Sequence, residues 1–229
     1  MRICTICARG GSKGLPSKNT KFLLGEPLIS WSISQAKQTG LFDYIAVSSD
    51  SKEIIGTGWT AGANFFIDRP KELATDEIGK IPVIVHAVES VEREINLKFD
   101  TIVDLDVTSP LRIPEDIIEA VRMQEDSKCS NVITGTPAHR SPAFNMVQVR
   151  NNVAELVIQS SVVRRQDSPE YFDLNASIYV WNRDKFMDDP KLFYTDTKLY
   201  IMPPERSVDV DSQLDFDIVE MILKKRMLN

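Results

Sequence analysis

A cation-rich glycine loop near the amino terminus carries the clearest chemical signal. Residues 7–19 read Cys-Ala-Arg-Gly-Gly-Ser-Lys-Gly-Leu-Pro-Ser-Lys-Asn and follow a short apolar run at residues 3–7. Glycines let backbone amides approach an anion closely, and three cations would neutralise much of a triphosphate's charge. The glycines are Gly10, Gly11 and Gly14, and the cations are Arg9, Lys13 and Lys18. The pattern indicates nucleotide chemistry, with a basic surface turn as the alternative.

Neither of the two familiar glycine fingerprints fits this loop. A Walker loop requires Gly-Lys-Ser/Thr, whereas here Lys13 precedes Gly14 and Lys18 is followed by Asn19. A dinucleotide fingerprint cradles its ligand mainly with backbone, and it does not match adjacent glycines beside three cations. A P-loop nucleotidase is therefore disfavoured, and an NAD-linked oxidoreductase is a distant alternative.

An Asp-Val-Asp triplet at residues 209–211 is the second chemical signal. In an extended segment, residues two apart face the same side, so Asp209 and Asp211 can converge on one hard cation such as Mg²⁺. The alternative is an acidic turn that caps a helix, because Ser212 is a good N-cap and Asp215 occupies the capping-box position. A triphosphate loop in the same chain favours the metal, since a divalent ion would offset phosphate charge.

Strand and helix patterns alternate through the first half of the chain. Apolar runs predict strands at residues 3–7, 44–48, 64–67 and Thr101–Leu105, interleaved with helices at 28–38, 51–61, 81–95 and 114–126. The alternation predicts a three-layer α/β sandwich with a mostly parallel sheet. Ligands of such sheets gather beyond the carboxyl ends of the strands, where the glycine loop also lies. Asp104 and Asp106 end one strand there and are a rival metal pair, ranked second because one carboxylate is expected to pack against a helix.

The second half departs from this alternation. Residues 144–149 and 153–158 flank Asn151-Asn152 and predict a β-hairpin, and a further strand is expected at residues 177–181. We therefore expect one domain over residues 1–229, with an excursion at residues 138–174. A projecting hairpin leaves apolar surface exposed unless another element covers it. A simple flap on a monomer is the alternative to an interface.

Six segments, taken together and in order, resemble a known family. They are Ile-Cys-Ala-Arg-Gly-Gly-Ser-Lys-Gly at 6–14 with Lys-Asn at 18–19, Val-Ser-Ser-Asp at 47–50, Arg-Pro-x-x-Leu-Ala-x-Asp at 69–76, Thr-Ser-Pro-Leu-Arg at 108–112, Asn-Ala-Ser-Ile-Tyr at 175–179 and Asp-Val-Asp-Ser-x-Leu-Asp at 209–215. Each alone is a weak pattern, but their joint occurrence is specific. The chain resembles the cytidylyltransferases that activate nine-carbon acidic sugars, namely CMP-sialic acid synthetases and their bacterial CMP-legionaminic acid relatives.

The resemblance implies a GT-A-like nucleotidyltransferase fold, Mg²⁺ as cofactor, and attack by the anomeric hydroxyl of an α-keto sugar acid on the α-phosphorus of CTP. It implies that Lys18, Arg9 and Asp211 are catalytic and that Asp209 and Asp211 hold the metal. The nucleotide-binding residues would be Arg9, Gly10, Gly11, Ser12, Lys13, Lys18, Asn19 and Arg69. The sugar-binding residues would be Arg165, Asn175 and Tyr179, with Phe193 and Tyr194 supplied by the other subunit of a homodimer. The excursion would then cross to that twofold-related subunit.

Departures from the sialic acid enzymes bear on the sugar. Asp106 stands where those enzymes commonly have glutamine, Lys80 where a small serine is usual, and Asp173 where arginine is frequent. These changes resemble the legionaminic branch. A diacetamido sugar presents amides, and Asp106 would accept an N–H more strongly than glutamine does, so we add it to the sugar-binding residues. We expect N,N'-diacetyllegionaminic acid as acceptor, with N-acetylneuraminic acid or KDO as alternatives and a non-catalytic nucleotide-sugar binding protein as an alternative of another class.

Composition narrows the remaining classes. The chain has 229 residues, of which 42% are hydrophobic and 26% charged, which suits one globular domain. A net charge of −6 argues against a nucleic-acid partner. The apolar start is shorter than a signal-peptide core and no membrane span follows, so a cytoplasmic location without a membrane partner is expected. Three cysteines do not make a disulfide framework, and Cys4 and Cys7 should point to opposite faces of a strand.

Overall fold

A seven-stranded sheet organises the chain in a computed structural model that describes residues 1–11, 14–161 and 164–228. The strands are β1 Arg2–Cys7, β2 Phe22–Leu23, β3 Glu26–Pro27, β4 Tyr44–Ser49, β5 Phe65–Asp68, β6 Thr101–Leu105, β7 Asn131–Pro137, β8 Val147–Arg150, β9 Val153–Leu156, β10 Phe172–Asn182 and β11 Lys198–Ile201. The helices are α1 Leu28–Thr39, α2 Lys52–Ala61, α3 Lys80–Ile95, α4 Pro114–Ser127, α5 Arg183–Asp188 and α6 Gln213–Met227. The strand order is β11-β7-β10-β6-β1-β4-β5.

All pairings in this sheet are parallel except those of β10, which runs antiparallel between β6 and β7. Helices α1, α2, α4 and α6 cover one face of the sheet, and α3 and α5 cover the other. Successive side chains of a strand alternate between these layers, so Cys4 packs on the first side and Ile3 on the second. The predicted α/β sandwich with a mostly parallel sheet is confirmed. Among the described residues, no helix has the length and apolar character needed to cross a membrane.

Local signals place the helix ends close to the predicted positions. Helix α2 begins one residue later than predicted because Ser51 is its N-cap, with its side chain accepting a hydrogen bond from the Ile54 amide. Helices α1 and α2 end at Gly40 and Gly62, whose φ angles of 63° and 89° suit glycine. The short connection between β4 and α2 contacts the glycine loop, because Asp50 accepts a hydrogen bond from the Gly10 amide.

The excursion forms a separate two-stranded hairpin of β8 and β9. Its turn is the predicted Asn151-Asn152 pair, with φ angles of 51° and 63°, as a tight hairpin turn requires. The strands are shorter than predicted, at Val147–Arg150 and Val153–Leu156. Strand β8 begins late because residues 144–146 form a turn in which three amides donate to the Ser141 carbonyl, and the residues after β9 donate to that turn segment, Val157 to Met146 and Ile158 to Pro142. The role of this segment in dimerisation stays a prediction.

Strand β10 is longer than the predicted residues 177–181, since it begins at Phe172 and ends at Asn182. Its pairing with β7 is irregular between Leu174 and Tyr179, where Ala176 has a φ of 49°. This bulge turns the Asn175 side chain towards the interior, where it is 4% exposed. The bulge therefore links the excursion to the residues that lie behind the cleft described next.

Candidate active site

A cleft of about 280 Å³ lies beyond the carboxyl ends of β1 and β6. Six of the predicted site residues line it: Arg9, Gly11, Lys18, Asn19, Arg69 and Asp106. Lys80, Thr75, Asp76 and Thr108 also line it, although none of them was predicted as a site residue. The cleft thus brings together residues from the glycine loop and from the segments after β5 and β6, at the sheet edge where α/β proteins bind ligands.

The glycine loop is anchored at its start. The Asn19 side-chain amide donates to the Arg9 carbonyl at 2.9 Å, and the Gly10 amide donates to Asp50 Oδ1 at 2.9 Å. Arg9 itself pairs with Asp76 Oδ1 at 2.5 Å across the cleft. These contacts fix the loop's first turn, and the Gly10 amide is already used within the protein. The predicted nucleotide-binding residues Ser12 and Lys13 lie outside the described residues.

The predicted catalytic pair Lys18 and Asp211 meets directly. Lys18 Nζ lies 2.9 Å from Asp211 Oδ1, although the two residues are 193 positions apart in sequence. Lys18 begins a short 3₁₀ turn, and its side chain is only 14% exposed, whereas Asp211 is 75% exposed. The glycine loop and the acidic triplet therefore form one site.

Gly14 lets the loop approach this triplet. A Cβ atom at this position would lie 2.5 Å from the Asp211 carbonyl oxygen, far inside van der Waals contact. We expect Gly14→Ala to displace either the loop or the triplet by about 1 Å and to lower kcat/KM for nucleotide transfer by about 10²-fold. Gly56→Ala is the control, because a Cβ there meets nothing within 4 Å. Equal rates for the two variants would contradict the expectation.

Asp209 carries an unsatisfied acceptor. Its Oδ1 atom is buried and has no hydrogen-bond partner among the described residues. Burial raises the pKa of Asp209 to about 6, and the carboxylates of Asp106 and Asp211 add to the shift, whereas hydrogen bonding with Thr108 and the charge of Lys18 oppose it. The Val210 amide donates to the Thr108 carbonyl at 2.9 Å, and the Val210 side chain is fully buried. A cation at Asp209 would satisfy this oxygen.

Capping and metal binding are compatible at this triplet. Ser212 and Asp215 form the predicted capping box at the start of α6, with the Ser212 amide donating to Asp215 Oδ2 at 2.8 Å. Asp209 and Asp211 take no part in that box through their side chains. Within the described ranges, no three His, Cys, Asp or Glu side chains group as a metal site. Two carboxylates suit Mg²⁺ nevertheless, because this ion usually keeps waters and binds substrate phosphates.

The rival pair, Asp104 and Asp106, is bridged by a lysine. Lys80 Nζ lies 3.0 Å from Asp104 Oδ2 and 2.8 Å from Asp106 Oδ2. Burial alone would lower the pKa of Lys80, but the two carboxylates raise it well above its usual value. Burial alone would likewise raise the pKa of Asp106, but Lys80 and Thr108 hold it below its usual value. Only Asp106 of the pair lines the cleft, because Asp104 is 1% exposed.

Arg112 supports the cleft from below. It is 1% exposed and donates to the carbonyls of Asp106 and Ser177 at 2.8 and 2.9 Å, and to the Ser32 hydroxyl. All three acceptors are neutral, and burial lowers the pKa of Arg112 to about 10. This arginine ties the end of β6 to β10 and so positions Asp106.

We expect Arg112→Met to destabilise the protein by about 2–5 kcal/mol, because it keeps the volume but removes the buried hydrogen bonds that Arg112 donates to the Asp106 and Ser177 carbonyls and to the Ser32 hydroxyl. Urea unfolding measures the loss. Arg122→Met on the outer face of α4 is the control, since its ion pairs with Glu119 and Asp126 are exposed and contribute little. If both variants unfolded at the same urea concentration, the buried hydrogen bonds would not have the assigned importance.

Two predicted sugar-binding residues lie behind the cleft. The Asn175 amide accepts from Thr134 Oγ1 at 2.7 Å and donates to Ser207 Oγ at 3.0 Å, which ties the β10 bulge to the segment leading to Asp209. The Tyr179 ring lies 4.5 Å from Lys80 Nζ and is 6% exposed. Neither side chain lines the cleft in the described structure. Their contact with the sugar stays a prediction, and the observed contacts give them positioning roles.

The remaining predicted sugar residues are distant from the cleft within one chain. Phe193 and Tyr194 precede β11, at the sheet end where β10 finishes opposite the start of β6. Phe193 is 57% exposed, and the Tyr194 hydroxyl donates to the Asp189 carbonyl at 2.7 Å. The side chain of Arg165 lies outside what the structure describes. A role for Phe193 and Tyr194 at the sugar site of another copy stays a prediction.

Comparison with known proteins agrees with this geometry. A glycine loop joined to an acidic triplet, at the carboxyl edge of a mostly parallel sheet, defines an α/β nucleotidyltransferase. The chain belongs to the cytidylyltransferase family, whose model matches residues 3–218. It is therefore an enzyme of the nucleotidyltransferase class.

Three similar proteins illustrate the match. The chain is 40% identical to the post-translational flagellin modification protein B of Campylobacter coli, over 99% of this chain and 96% of the relative. It is 38% identical to the CMP-N,N'-diacetyllegionaminic acid synthase of Campylobacter jejuni, over 99% of this chain and 97% of the relative. A solved CMP:2-keto-3-deoxy-manno-octonic acid synthetase in complex with CTP matches with a TM-score of 0.73 at 16% identity, covering 98% and 99% of the two chains, and shows the shared fold.

Proposed function

We propose that this enzyme condenses CTP with a nine-carbon α-keto sugar acid, N,N'-diacetyllegionaminic acid, and forms the CMP-sugar and pyrophosphate. The observation that carries the proposal is the full-length similarity to a synthase of that name, at 38% identity. The cleft supports it independently, because the cations Arg9, Lys18 and Arg69 are all among the residues that line it. A non-catalytic binding protein would not need both carboxylates of the triplet, Asp209 with its unsatisfied oxygen and Asp211 paired with Lys18.

The reaction is a displacement at phosphorus. The anomeric oxygen forms a bond to the α-phosphorus, the bond between that phosphorus and the bridging oxygen breaks, pyrophosphate leaves, and the anomeric proton passes to solvent. Such a displacement needs positioning and charge neutralisation more than covalent help from the protein. The family resemblance assigns the α-phosphate to Lys18, whose side chain lines the cleft. Arg9 would then hold the outgoing phosphates.

Mg²⁺ fits the acidic triplet as the cofactor. When bound, it would neutralise phosphate charge and acidify the anomeric hydroxyl. Asp209 and Asp211 would hold it, because Asp209 offers an acceptor oxygen without a partner among the described residues. Asp211 would have to share its carboxylate between Lys18 and the ion, which keeps the cation set and the metal adjacent.

Asp106 is the residue through which we propose sugar choice. It lines the cleft with a carboxylate that Lys80 keeps ionised, so it can accept an acetamido N–H strongly. We expect Asp106→Gln to lower the ratio of kcat/KM for N,N'-diacetyllegionaminic acid to that for N-acetylneuraminic acid by about tenfold. Pyrophosphate release with each sugar measures this ratio. An unchanged ratio would remove Asp106 from sugar recognition while leaving the reaction itself untouched.

We further propose a homodimer whose excursion meets a second copy of the chain. One face of the hairpin is wholly apolar, since Val147 and Val149 pair with Leu156 and Ala154, and the two valines are 58% and 69% exposed. A second copy would cover this face and supply its own Phe193 and Tyr194 to the sugar site. Val149→Glu should convert the dimer to a monomer in light scattering, whereas Arg150→Glu on the opposite face should not. A wild-type monomer would contradict the proposal.

A further inference from the structure

Lys80 fills the space between two carboxylates at the floor of the cleft. Asp104 Oδ2 and Asp106 Oδ2 both lie within 3.0 Å of its ammonium group. The other oxygen of each carboxylate is held by a threonine, because Asp104 Oδ1 accepts from Thr5 at 2.8 Å and Asp106 Oδ1 accepts from Thr108 at 3.1 Å. The two Oδ2 atoms therefore converge on one point, which the Lys80 ammonium group occupies.

The helix that begins at Lys80 does not favour a cation at this position. It is the first residue of α3, where the helix dipole favours anions and disfavours a cation. Its side chain is 29% exposed, so placing an ammonium group there also costs hydration. Both penalties are offset by the paired carboxylates, because the attraction between Lys80 and Asp104, which is 1% exposed, is little screened by water. The lysine and the carboxylates thus form one unit.

We propose that Lys80 is a tethered counter-ion that excludes divalent metal from the Asp104–Asp106 pair. Without the lysine, two converging carboxylates at an open cleft have the oxygen chemistry that Mg²⁺ or Mn²⁺ selects. With it, the pair keeps one net negative charge, and Asp106 presents a fixed acceptor to the cleft instead of a metal ligand. The proposal concerns metal binding by the protein without substrates, so it does not depend on which sugar the enzyme uses.

Manganese binding to the free protein tests this proposal. The experiment uses the Asp209→Asn background, which removes the proposed cofactor site, and follows free Mn²⁺ by its electron paramagnetic resonance signal without nucleotide. We expect Lys80→Ala to bind one more equivalent of Mn²⁺ than its parent. Adding Asp106→Asn should remove that equivalent, and Lys80→Arg should not gain it, because the guanidinium keeps the positive charge.

Thermal unfolding with and without Mn²⁺ provides a second measurement of metal binding. The Lys80→Ala variant should be stabilised by added Mn²⁺ while its parent is not, since an ion that binds only the folded state raises its stability. If Lys80→Ala does not fold, Lys80→Gln keeps the stem of the side chain and takes its place. Equal Mn²⁺ binding by the folded lysine variant and its parent would overturn the proposal. So would a Mn²⁺ site in the parent that Asp104→Asn abolishes.

Discussion

Lys18→Met is expected to lower kcat for pyrophosphate release by about 10²–10³-fold, with a smaller change in KM for CTP. The substitution keeps the length and apolar stem of the side chain but removes the cation that pairs with Asp211 at 2.9 Å. Charge builds on the leaving and equatorial oxygens mainly in the transition state, so the loss should fall on kcat. Steady-state kinetics with CTP and a saturating sugar acid measures both constants.

Lys21→Met is the matched control for this prediction. Lys21 lies three residues away, donates to Gln213 at 3.0 Å and does not line the cleft. Its loss should leave kcat close to that of the parent enzyme. If Lys18→Met changed KM alone, Lys18 would bind nucleotide without acting on the transition state. Equal effects of the two substitutions would remove Lys18 from the catalytic set.

Asp209→Asn is expected to reduce pyrophosphate release by a similar factor, about 10²–10³-fold, and to raise the Mg²⁺ concentration needed for half-maximal rate. The amide has nearly the same shape but lacks the charge that a hard cation selects. Because Asp209 Oδ1 has no partner within the described residues, we expect no loss in the free energy of unfolding. A Mg²⁺ titration of the rate, combined with urea unfolding, separates the two effects.

Asp217→Asn is the control for this substitution, since Asp217 lies on α6 and bonds only to Gln213 among the contacts of the described chain. It should change neither the rate nor the Mg²⁺ dependence. An Asp209→Asn enzyme with a normal Mg²⁺ requirement would exclude Asp209 as a ligand. A variant that simply unfolded more easily would instead mark Asp209 as a structural residue.

Much of the sheet could be predicted from sequence, because its central strands are buried on both faces and read as continuous apolar runs. Strand β6 has the predicted bounds, and β1 and β4 differ by a residue. Strand β7 was not predicted, since Asn131, Gly135 and Pro137 interrupt its apolar character. The early part of β10 was missed for the same reason, as Asp173 and Asn175 are poor strand formers. These strands are specified by their neighbours and not by local propensity.

The site was predictable in its residue types but not in its contacts. The sequence identified the cations and carboxylates of the site. It did not show that Lys18 pairs with Asp211, because the two residues are 193 positions apart and only the fold brings them together. Lys80 was visible only as a departure from the related enzymes, and its position between two carboxylates required coordinates. No pattern in the sequence predicted the bulge in β10, which turns the Asn175 amide away from the cleft.

Pyrophosphate release from CTP and Mg²⁺, with N,N'-diacetyllegionaminic acid, N-acetylneuraminic acid and KDO offered separately, tests the proposed reaction most directly. The Asp211→Ala variant is the control for each sugar. We expect release to be fastest with N,N'-diacetyllegionaminic acid and to be lost in the variant, together with formation of the corresponding CMP-sugar. Release that is absent with all three sugars, or that persists in the variant, would contradict the account.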